Sequence, residues 1–336
     1  MAFLSETPDI RAKRPAFCGI LANTLLSTVP GISGAGPTPA GTLLTPAMDA
    51  ELILKGAITS MPGTPNTPTG CPTPAVITRA MMDLCGIVPL FVNAGLARPP
   101  SVPCIEMYSP AGGDPRNGDA VTNAAVLFER GMWLGTYLSG TSDLLVLGES
   151  VPGGTTTALC VLRALGYDAA VSSSFVSNPV SLKEEVCRAV VRRVRNDAIT
   201  DPLAVVRYAG DPMMPVAAGI ARSYRGTLIL AGGTQMLAVA ALLRAMDVPL
   251  PLIATTVYVR DDPSANMAAL AGAVGITAFY VDPGFHHLGH NGLARYCRGE
   301  VKEGMGAGGA MTLAAILGHS PDTIRKKILA TVSAYS

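Results

Sequence analysis

The 336-residue chain has few aromatic and few charged side chains: Phe, Trp and Tyr make up 5% of the residues and Asp, Glu, Lys and Arg make up 15%. Its 25 Lys and Arg balance 24 Asp and Glu without forming a basic block, so no nucleic-acid partner is expected. No apolar run is long enough to span a bilayer, so no membrane partner is expected either. These absences argue against nucleic-acid-binding and membrane proteins.

The seven cysteines are scattered and lack a Cys-x-x-Cys pair, which is typical of reduced thiols in a cytoplasmic protein. Residues 1–15 mix acidic and basic side chains early, so no signal peptide is expected. The chain is therefore predicted to be cytoplasmic.

Apolar residues make up 49% of the chain and are mostly Ala, Val and Leu, which suits helices packed on a parallel sheet. The predicted fold class is α/β, with a parallel sheet covered by helices on both faces in a Rossmann-like three-layer arrangement. Because 336 residues exceed the usual size of one core, a smaller lobe is also expected.

The most informative segment is 143–158, where a strand, a turn and a helix follow one another. Residues 144–147 form a short apolar run typical of a buried parallel strand, which Gly148 ends, and Glu149 follows at its carboxyl end. A glycine turn then leads into a helix from Thr155. Free N–H groups and the helix dipole favour an anion there. The residues that would hold the anion are Gly153, Gly154, Thr155 and Thr156.

That turn lacks the lysine of a Walker A loop, and the dinucleotide fingerprint is absent after the first strand. A capped turn without a ligand is the alternative interpretation. A second strand at 227–231, followed by Gly232-Gly233 and a helix at 236–246, repeats the design. Two such turns in a parallel sheet lie at the same carboxyl edge, where α/β proteins bind ligands.

The C-terminal part holds all four histidines and a third glycine-rich segment. Glu303 precedes Gly304 and Gly306 at a predicted helix start, although it could simply be solvated or cap that helix. The histidines at 286, 287 and 290 have no further ligand at a recognisable spacing, so no metal is expected.

Other elements are predicted from local patterns. A strand is expected at 277–281, a helix is expected to start near Thr45-Pro46, and a longer strand is expected at 250–259. The helix at 120–138 carries Trp133, the only tryptophan, which is expected to lie in the core or in an interface.

Glu149 and Glu303 would thus meet two or three glycine turns in one cleft, which suits a phosphorylated sugar. Amide donors would hold the phosphate, one carboxylate would steady the ribose, and the other would act as a general base. No Ser/His/Asp or Cys/His triad is evident.

Several motifs resemble the nicotinate-nucleotide:dimethylbenzimidazole phosphoribosyltransferase family, in the family's order from about Asp119 onwards. The segment at 147–158 resembles the family's Gly-Glu-Met-Gly-Ile-Gly-Asn-Thr-Thr, with Gly154 in place of Asn. The segment at 303–307 resembles Gly-Glu-Gly-Thr-Gly-Ala, which carries the catalytic base, and 231–235 resembles a Gly-Gly turn. His290 falls where the family has Pro-Gly-His. The first hundred residues look like the divergent archaeal and cyanobacterial branch.

The resemblance implies transfer of phosphoribose from nicotinate mononucleotide to 5,6-dimethylbenzimidazole or a related base, without metal or cofactor. Glu303 would take the proton of the base as it attacks ribose C1, with inversion, and Glu149 would sit by the ribose. Lys183 is a candidate for the family's phosphate-region lysine. The products would be α-ribazole phosphate and nicotinate. The other substrate-binding residues would be Gly153, Gly154, Thr155, Thr156, Gly232, Gly233, Gly304, Gly306 and His290.

The expected organisation is an N-terminal part at 1–90 that supplies the first strand and part of the small lobe, a large nucleotide-binding domain at 91–300, and a C-terminal helical part at 301–336 that completes the lobe. The resemblance also implies a homodimer. Two other functions stay open: a nucleotide-binding regulatory protein that has lost catalysis, and another glycosyl transfer such as nucleoside phosphorolysis.

Overall fold

The computed structural model describes residues 2–36 and 38–335. Seven strands within these residues form one sheet, in which every neighbouring pair is parallel. The strands are β1 Pro15–Ala22, β2 Leu90–Gly95, β3 Ile105–Glu106, β4 Leu144–Ser150, β5 Thr227–Ala231, β6 Leu252–Thr256 and β7 Thr277–Val281.

Helices connect the strands. They are α1 Pro39–Lys55, α2 Pro74–Cys85, α3 Ala124–Thr141, α4 Gly154–Ala164, α5 Val180–Asn196, α6 Pro202–Ala209, α7 Met213–Ser223, α8 Thr234–Ala245, α9 Val257–Arg260, α10 Met267–Val274, α11 Asn291–Ala294, α12 Ala307–Ile316 and α13 Pro321–Ser333. None of those in the described part of the chain is long and apolar enough to cross a membrane.

The strand order is β3-β2-β1-β4-β5-β6-β7, so the chain winds outwards in both directions from β1 and β4. Ligands of open α/β sheets bind at such a reversal point, outside the carboxyl ends of the strands. The pairing of β1 with β4 runs to Leu21 and Ser150, at that edge. The predicted fold class, α/β with a parallel sheet and helices on both faces, is confirmed.

Alternate residues of β4 face two separate apolar cores. Leu145 and Leu147 join a core with helices that include α4, α7 and α8, whereas Leu144 and Val146 join a core with α2, α12 and α13. This alternation follows from the period of two of a strand, and burial on both faces explains the continuous apolar run.

Helices from both ends of the chain meet on the second face of the sheet. α2 contacts α1, α12 and α13, so the N-terminal and C-terminal helices form one cluster there. The apolar side chains of α13 that are buried against this cluster are Ile324, Ile328 and Val332. The domain boundaries at 90 and 300 stay a prediction.

Three local predictions are wrong. β4 does not end at Gly148 but continues through Glu149 to Ser150, because its pairing with β1 continues. α1 starts at Pro39 rather than near Thr45, because Thr38 caps its first turn, and burial of its inner face carries the helix through Pro46. The strand expected at 250–259 covers only β6, and α9 follows it.

Trp133 does not lie in the core of the chain, since its side chain is 75% exposed. The face of α3 that packs on α7 is formed instead by small and aliphatic residues such as Gly131, Gly135 and Leu138. The alternative role of Trp133 in an interface stays a prediction.

Candidate active site

Glu149 is the next-to-last residue of β4 and is 5% exposed. Its carboxylate accepts a hydrogen bond from the side-chain amide of Gln235, in the first turn of α8. Burial above all, and then the charges of Asp211 and Glu303, raise the pKa of Glu149 to about 8. The side chain is therefore largely protonated at neutral pH before a ligand binds, and can donate a hydrogen bond.

Glu303 lies just before α12, and its carboxylate turns back onto the start of that helix. The backbone N–H of Gly308 donates to Oε1 at 3.1 Å and to Oε2 at 3.3 Å. Burial raises the pKa of Glu303 to about 7, and these N–H donors offset only part of that increase. A carboxyl group that gains and loses its proton near neutral pH is well suited to act as a general base.

Met305 joins the segment of Glu303 to the end of β4. Its backbone N–H donates to the carbonyl of Glu149 at 2.9 Å, and its own carbonyl accepts from the hydroxyl of Thr78 at 3.0 Å. Met305 has a φ of 50°, a left-handed conformation that is unusual for a residue with a side chain. Such local strain is characteristic of functional sites, and the two hydrogen bonds of Met305 hold the segment of Glu303 at the edge where β4 ends.

The glycine turns after β4 and β5 meet around Glu149. A Cβ on Gly154 would lie 2.4 Å from the side-chain amide nitrogen of Gln235, so a larger residue there would displace that amide from Glu149. Gly232 has a φ of 156°, and a Cβ there would lie 2.9 Å from Met236 Cγ and 3.5 Å from Glu149 Oε1. The sequence prediction that two turns and Glu149 share one edge is thus reproduced by the geometry.

The helices that follow the turns carry buried hydroxyls with unused hydrogen-bonding capacity. Within the described residues, Thr156 Oγ1 and Thr234 Oγ1 have no hydrogen-bond partner, although both residues are at most 1% exposed. Buried polar groups are rarely left unpaired, so these two hydroxyls at helix N-termini are expected to hydrogen-bond to a ligand or to water.

Two buried lysines lie beside these helices. Lys183 Nζ donates to Thr155 Oγ1 at 3.1 Å and to the carbonyl of Ser172 at 2.7 Å. Burial, followed by repulsion from Lys302, lowers the pKa of Lys183 to about 7, although Asp262 partly opposes the shift. Lys302 itself pairs with Asp262 at 3.3 Å. Asp262 pairs with only one of the two lysines, so an anion at this site would favour the protonated form of Lys183.

The remaining predicted site residues shape the backbone or lie further along the chain. Gly306 has a φ of 71°, and a Cβ there would lie 3.0 Å from Gly148 Cα; Gly304 has a φ of 156° and packs on Pro74. Gly153, the N-cap of α4, and Gly233, the N-cap of α8, complete the turns. His290 caps α11, where its Nδ1 accepts from the N–H of Leu293 at 3.2 Å.

Sequence reasoning missed several side chains of this region. Gln235 stood in a recognised turn and was given no role, and Lys302 adjoins Glu303 without any motif to mark it. Asp211 is fully buried, and burial raises its pKa to about 6 while the hydroxyl of Thr157 donates to it at 2.6 Å. Only position in the fold reveals these residues.

Two cavities lie elsewhere. The larger, of about 320 Å³, is lined by residues that include Tyr224, Thr227 and Leu252, at the amino ends of β5 and β6. The smaller, of about 180 Å³, is formed by residues 109–113 and 119–123 with Pro212. Neither is lined by a glutamate or by a predicted site residue, and the larger one faces the edge of the sheet opposite the ligand-binding edge.

Fold and site together define a doubly wound α/β protein with a buried Glu149 and a half-buried Glu303 among glycine turns at its carboxyl edge. The chain belongs to the UPF0284 protein family. It is 43% identical to the UPF0284 protein of Methanothermobacter thermautotrophicus over 93% of this chain and 90% of that protein. It is 41% identical to that of Methanosarcina mazei over 98% and 97%, and 44% identical to that of Thermococcus onnurineus over 92% and 94%. No family model matches the chain.

Solved structures with the same fold include CobT from Thermus thermophilus. The match covers 96% of this chain and 84% of the CobT chain, with a TM-score of 0.65 and 14% sequence identity. A second is the nicotinate-nucleotide-dimethylbenzimidazole phosphoribosyltransferase of the same organism, with a TM-score of 0.60 and 15% identity, covering 95% and 83%. The fold expected from the motif resemblance is therefore the fold of the chain.

Proposed function

We propose that this protein is a pentosyltransferase that moves phosphoribose from nicotinate mononucleotide to 5,6-dimethylbenzimidazole or a related base, as a step of cobamide lower-ligand assembly. The observation that carries the proposal is the joining of Glu149 and Glu303 by Met305 at the edge where two glycine turns open. Two carboxyl groups with raised pKa beside helix N-termini suit a sugar phosphate, and the sequence motifs and the fold point to the same class.

The phosphate would bind at the turn after β4. The N–H groups of Gly153, Thr155 and Gly233 would donate to it. Those of Gly154, Thr156 and Gly232 already donate to backbone carbonyls, so these residues would line the turns, with the Thr156 hydroxyl as a further donor. Lys183 would supply the charge, since its ammonium group already contacts Thr155. A bound phosphate would raise the pKa of Lys183 back towards its ordinary value, because the anion favours the charged form.

Transfer would need one proton acceptor and no metal. One ring nitrogen of the base attacks ribose C1 as the bond from C1 to the pyridinium nitrogen breaks. The bonding electrons neutralise the pyridinium, and nicotinate leaves. Glu303 takes the N–H proton of the attacking base, so the product carries no extra charge, and Glu149 donates a hydrogen bond to the ribose. Gly304 and Gly306, which pack on Pro74 and Gly148, would hold the loop of Glu303 beside the base, and His290 would also contact the substrate.

Glu303→Gln should lower the rate of nicotinate release by about 100-fold or more, because the amide cannot take the proton. Mass spectrometry would follow nicotinate and α-ribazole phosphate after incubation with nicotinate mononucleotide and dimethylbenzimidazole. Glu129→Gln, at an exposed position on α3, is the matched control. A rise in melting temperature with the nucleotide would show that the variant still binds; full turnover by the variant would refute the assignment of the base.

The same assay distinguishes the rival functions. Tight nucleotide binding without any nicotinate release by the native protein would favour a regulatory binding protein. Phosphate-dependent release of a base would favour phosphorolysis. For the proposed reaction, the activity of the native protein should rise as pH increases through about 7, where Glu303 loses its proton.

We also infer a cytoplasmic homodimer. The supporting observation is an exposed apolar stripe on α3 formed by Val126, Trp133 and Tyr137, which are 42%, 75% and 66% exposed. Large exposed apolar groups are costly in water unless another protein covers them. Light scattering on the purified protein would measure its mass, and a monomer across the micromolar range would refute the dimer.

A further inference from the structure

Asp49 is a buried carboxyl group that the proposed mechanism does not use. Asp49 lies on α1 and is 9% exposed. Its Oδ2 accepts from the hydroxyl of Ser150 at 2.7 Å, and the side chain of Thr73 also donates to it. α1 thus reaches across the end of β4 to the residue next to Glu149.

The position of Ser150 shows on which side of the sheet Asp49 lies. Successive residues of a strand face opposite sides, so Ser150 faces away from Glu149. Glu149 shares its face with the phosphate-binding turns, whereas Ser150 shares its face with α2 and α12. Asp49 therefore lies on the side of α12 and Glu303, remote from the proposed phosphate.

Residues 72–74 lie between Asp49 and Glu303. The hydroxyl of Tyr296 donates to the carbonyl of Pro72 at 2.8 Å, next to Thr73, whose side chain bonds Asp49. Burial raises the pKa of Tyr296 first, and the charges of Glu303 and Asp49 are among those that raise it further. Gly304, which adjoins Glu303, packs on Pro74, which adjoins Thr73, so a direct contact also brings the two carboxyl groups to this segment. Asp49 and Glu303 thus border one region.

Asp49 has the capacity to bind another donor. Within the described residues no Lys, Arg or His forms an ion pair with it. A carboxylate offers about four acceptor positions, and the hydroxyls of Ser150 and Thr73 account for two. Burying a carboxyl group without a cation is costly, and two hydroxyl bonds alone could be made equally well by a neutral asparagine.

We propose that Asp49 determines the specificity of the reaction by accepting a hydrogen bond from the acceptor base, on the ring edge remote from the nitrogen that attacks ribose. The acceptor class is then an aromatic nitrogen base with an amino or hydroxyl group on that edge, rather than one with two methyl groups. Methyl groups against Asp49 would leave its spare acceptor positions unpaired. This inference rests on the proposed function.

The test compares the turnover of four bases: benzimidazole, 5,6-dimethylbenzimidazole, 5-hydroxybenzimidazole and adenine, each with nicotinate mononucleotide. The native protein should use the hydroxyl or the amino base with a kcat/KM about 10-fold or more above that for dimethylbenzimidazole. The better of those two bases shows whether Asp49 accepts from a hydroxyl group or from an amino group. Asp49→Asn preserves the size and the contact with Ser150, and Asp49→Ala removes the acceptor altogether.

Both variants should reduce this preference, and Asp49→Ala should bring the ratio of the two kcat/KM values to about 1. Asp83→Asn, at an exposed aspartate of α2, is the control and should leave the ratio unchanged. An unchanged ratio in both Asp49 variants, or a native preference for dimethylbenzimidazole, would overturn this inference alone. A merely structural role would lower the rates with all bases alike.

Failure of the proposed function looks different. If the native protein releases no nicotinate with any of the four bases, the proposed reaction is wrong and this inference falls with it. The melting temperature of each variant with and without nicotinate mononucleotide separates loss of folding from loss of base recognition.

Discussion

At the scale of single residues, the site is dominated by carboxyl groups that the fold holds in an unfavourable environment. Glu149 and Glu303 are surrounded by backbone N–H groups, an amide and hydroxyls rather than by paired cations, and burial raises the pKa of both. Environments that displace the pKa of neighbouring acids are costly for folding and useful for chemistry. The loss of folding stability caused by these buried carboxyl groups can be measured.

Glu149→Gln should stabilise the protein in a pH-dependent manner. The folded state binds the proton of Glu149 more tightly than the unfolded state does, so this group's contribution to stability falls as pH rises from its ordinary pKa of 4.5 through about 8. A glutamine has no proton to lose in this range, so the variant does not lose stability in this way. Thermal unfolding at pH 5, 7 and 9 should show little gain at pH 5 and a gain on the order of a few degrees at pH 9. A gain of the same size at all three pH values would contradict the linkage.

At the scale of elements, close helix contacts built on glycine position the phosphate-binding side of the sheet. α3 and α7 cross with almost no side chain between them: a Cβ on Gly131 would lie 2.5 Å from the carbonyl of Val216, and one on Gly219 would lie within 3 Å of Met132 N. α7 in turn packs on α8, which carries Gln235. The short distance between α3 and α7 therefore depends on glycines, which have no side chain at the contact.

Gly131→Ala should destabilise the protein by about 1–3 kcal/mol, because an added methyl group at this contact forces the helices apart. Gly140 lies in the same helix, and a Cβ there would meet nothing within 4 Å. Gly140→Ala should therefore stabilise by about 0.5–1 kcal/mol through helix propensity. Urea unfolding of the two variants gives the free energies directly. Equal effects of the two substitutions would refute the argument from close packing.

At the scale of the whole molecule, both ends of the chain converge on α2. α13 packs on α2 through Ile324 and Ile328, and α2 holds the site through the bond from Thr78 to Met305. The last helix of the chain therefore supports the backbone that carries Glu303, although α13 itself provides no proposed site residue.

Ile328→Ala should lower the free energy of unfolding by about 2–4 kcal/mol, as expected for truncation of a fully buried isoleucine. Because the two apolar cores share one sheet, the loss should appear as a lower midpoint of a single unfolding transition. Lys326→Ala, exposed on the same helix, is the control and should change stability little. Two separate transitions in calorimetry would instead support a lobe that unfolds independently.

Much of the fold and part of the site were predictable from local sequence. β5 and β7 begin and end at the predicted residues, because apolar runs bounded by turns are local signals. Glu149, Glu303 and the glycine turns were recognisable for the same reason: each follows or precedes a regular element in the sequence. The common edge of Glu149 and of the turns after β4 and β5 follows from the parallel sheet itself.

The partners of those residues were decided by tertiary structure alone. Asp49 meets Ser150 across 101 positions of sequence, and Gln235 meets Glu149 across 86. The boundaries of β4 and α1 likewise depend on pairing with β1 and on burial against it and β4. Local patterns encode where strands and helices form, because propensity and periodicity act over a few residues. The raised pKa values, and the position of Glu303 beside Glu149, arise only when distant segments exclude water from the same place.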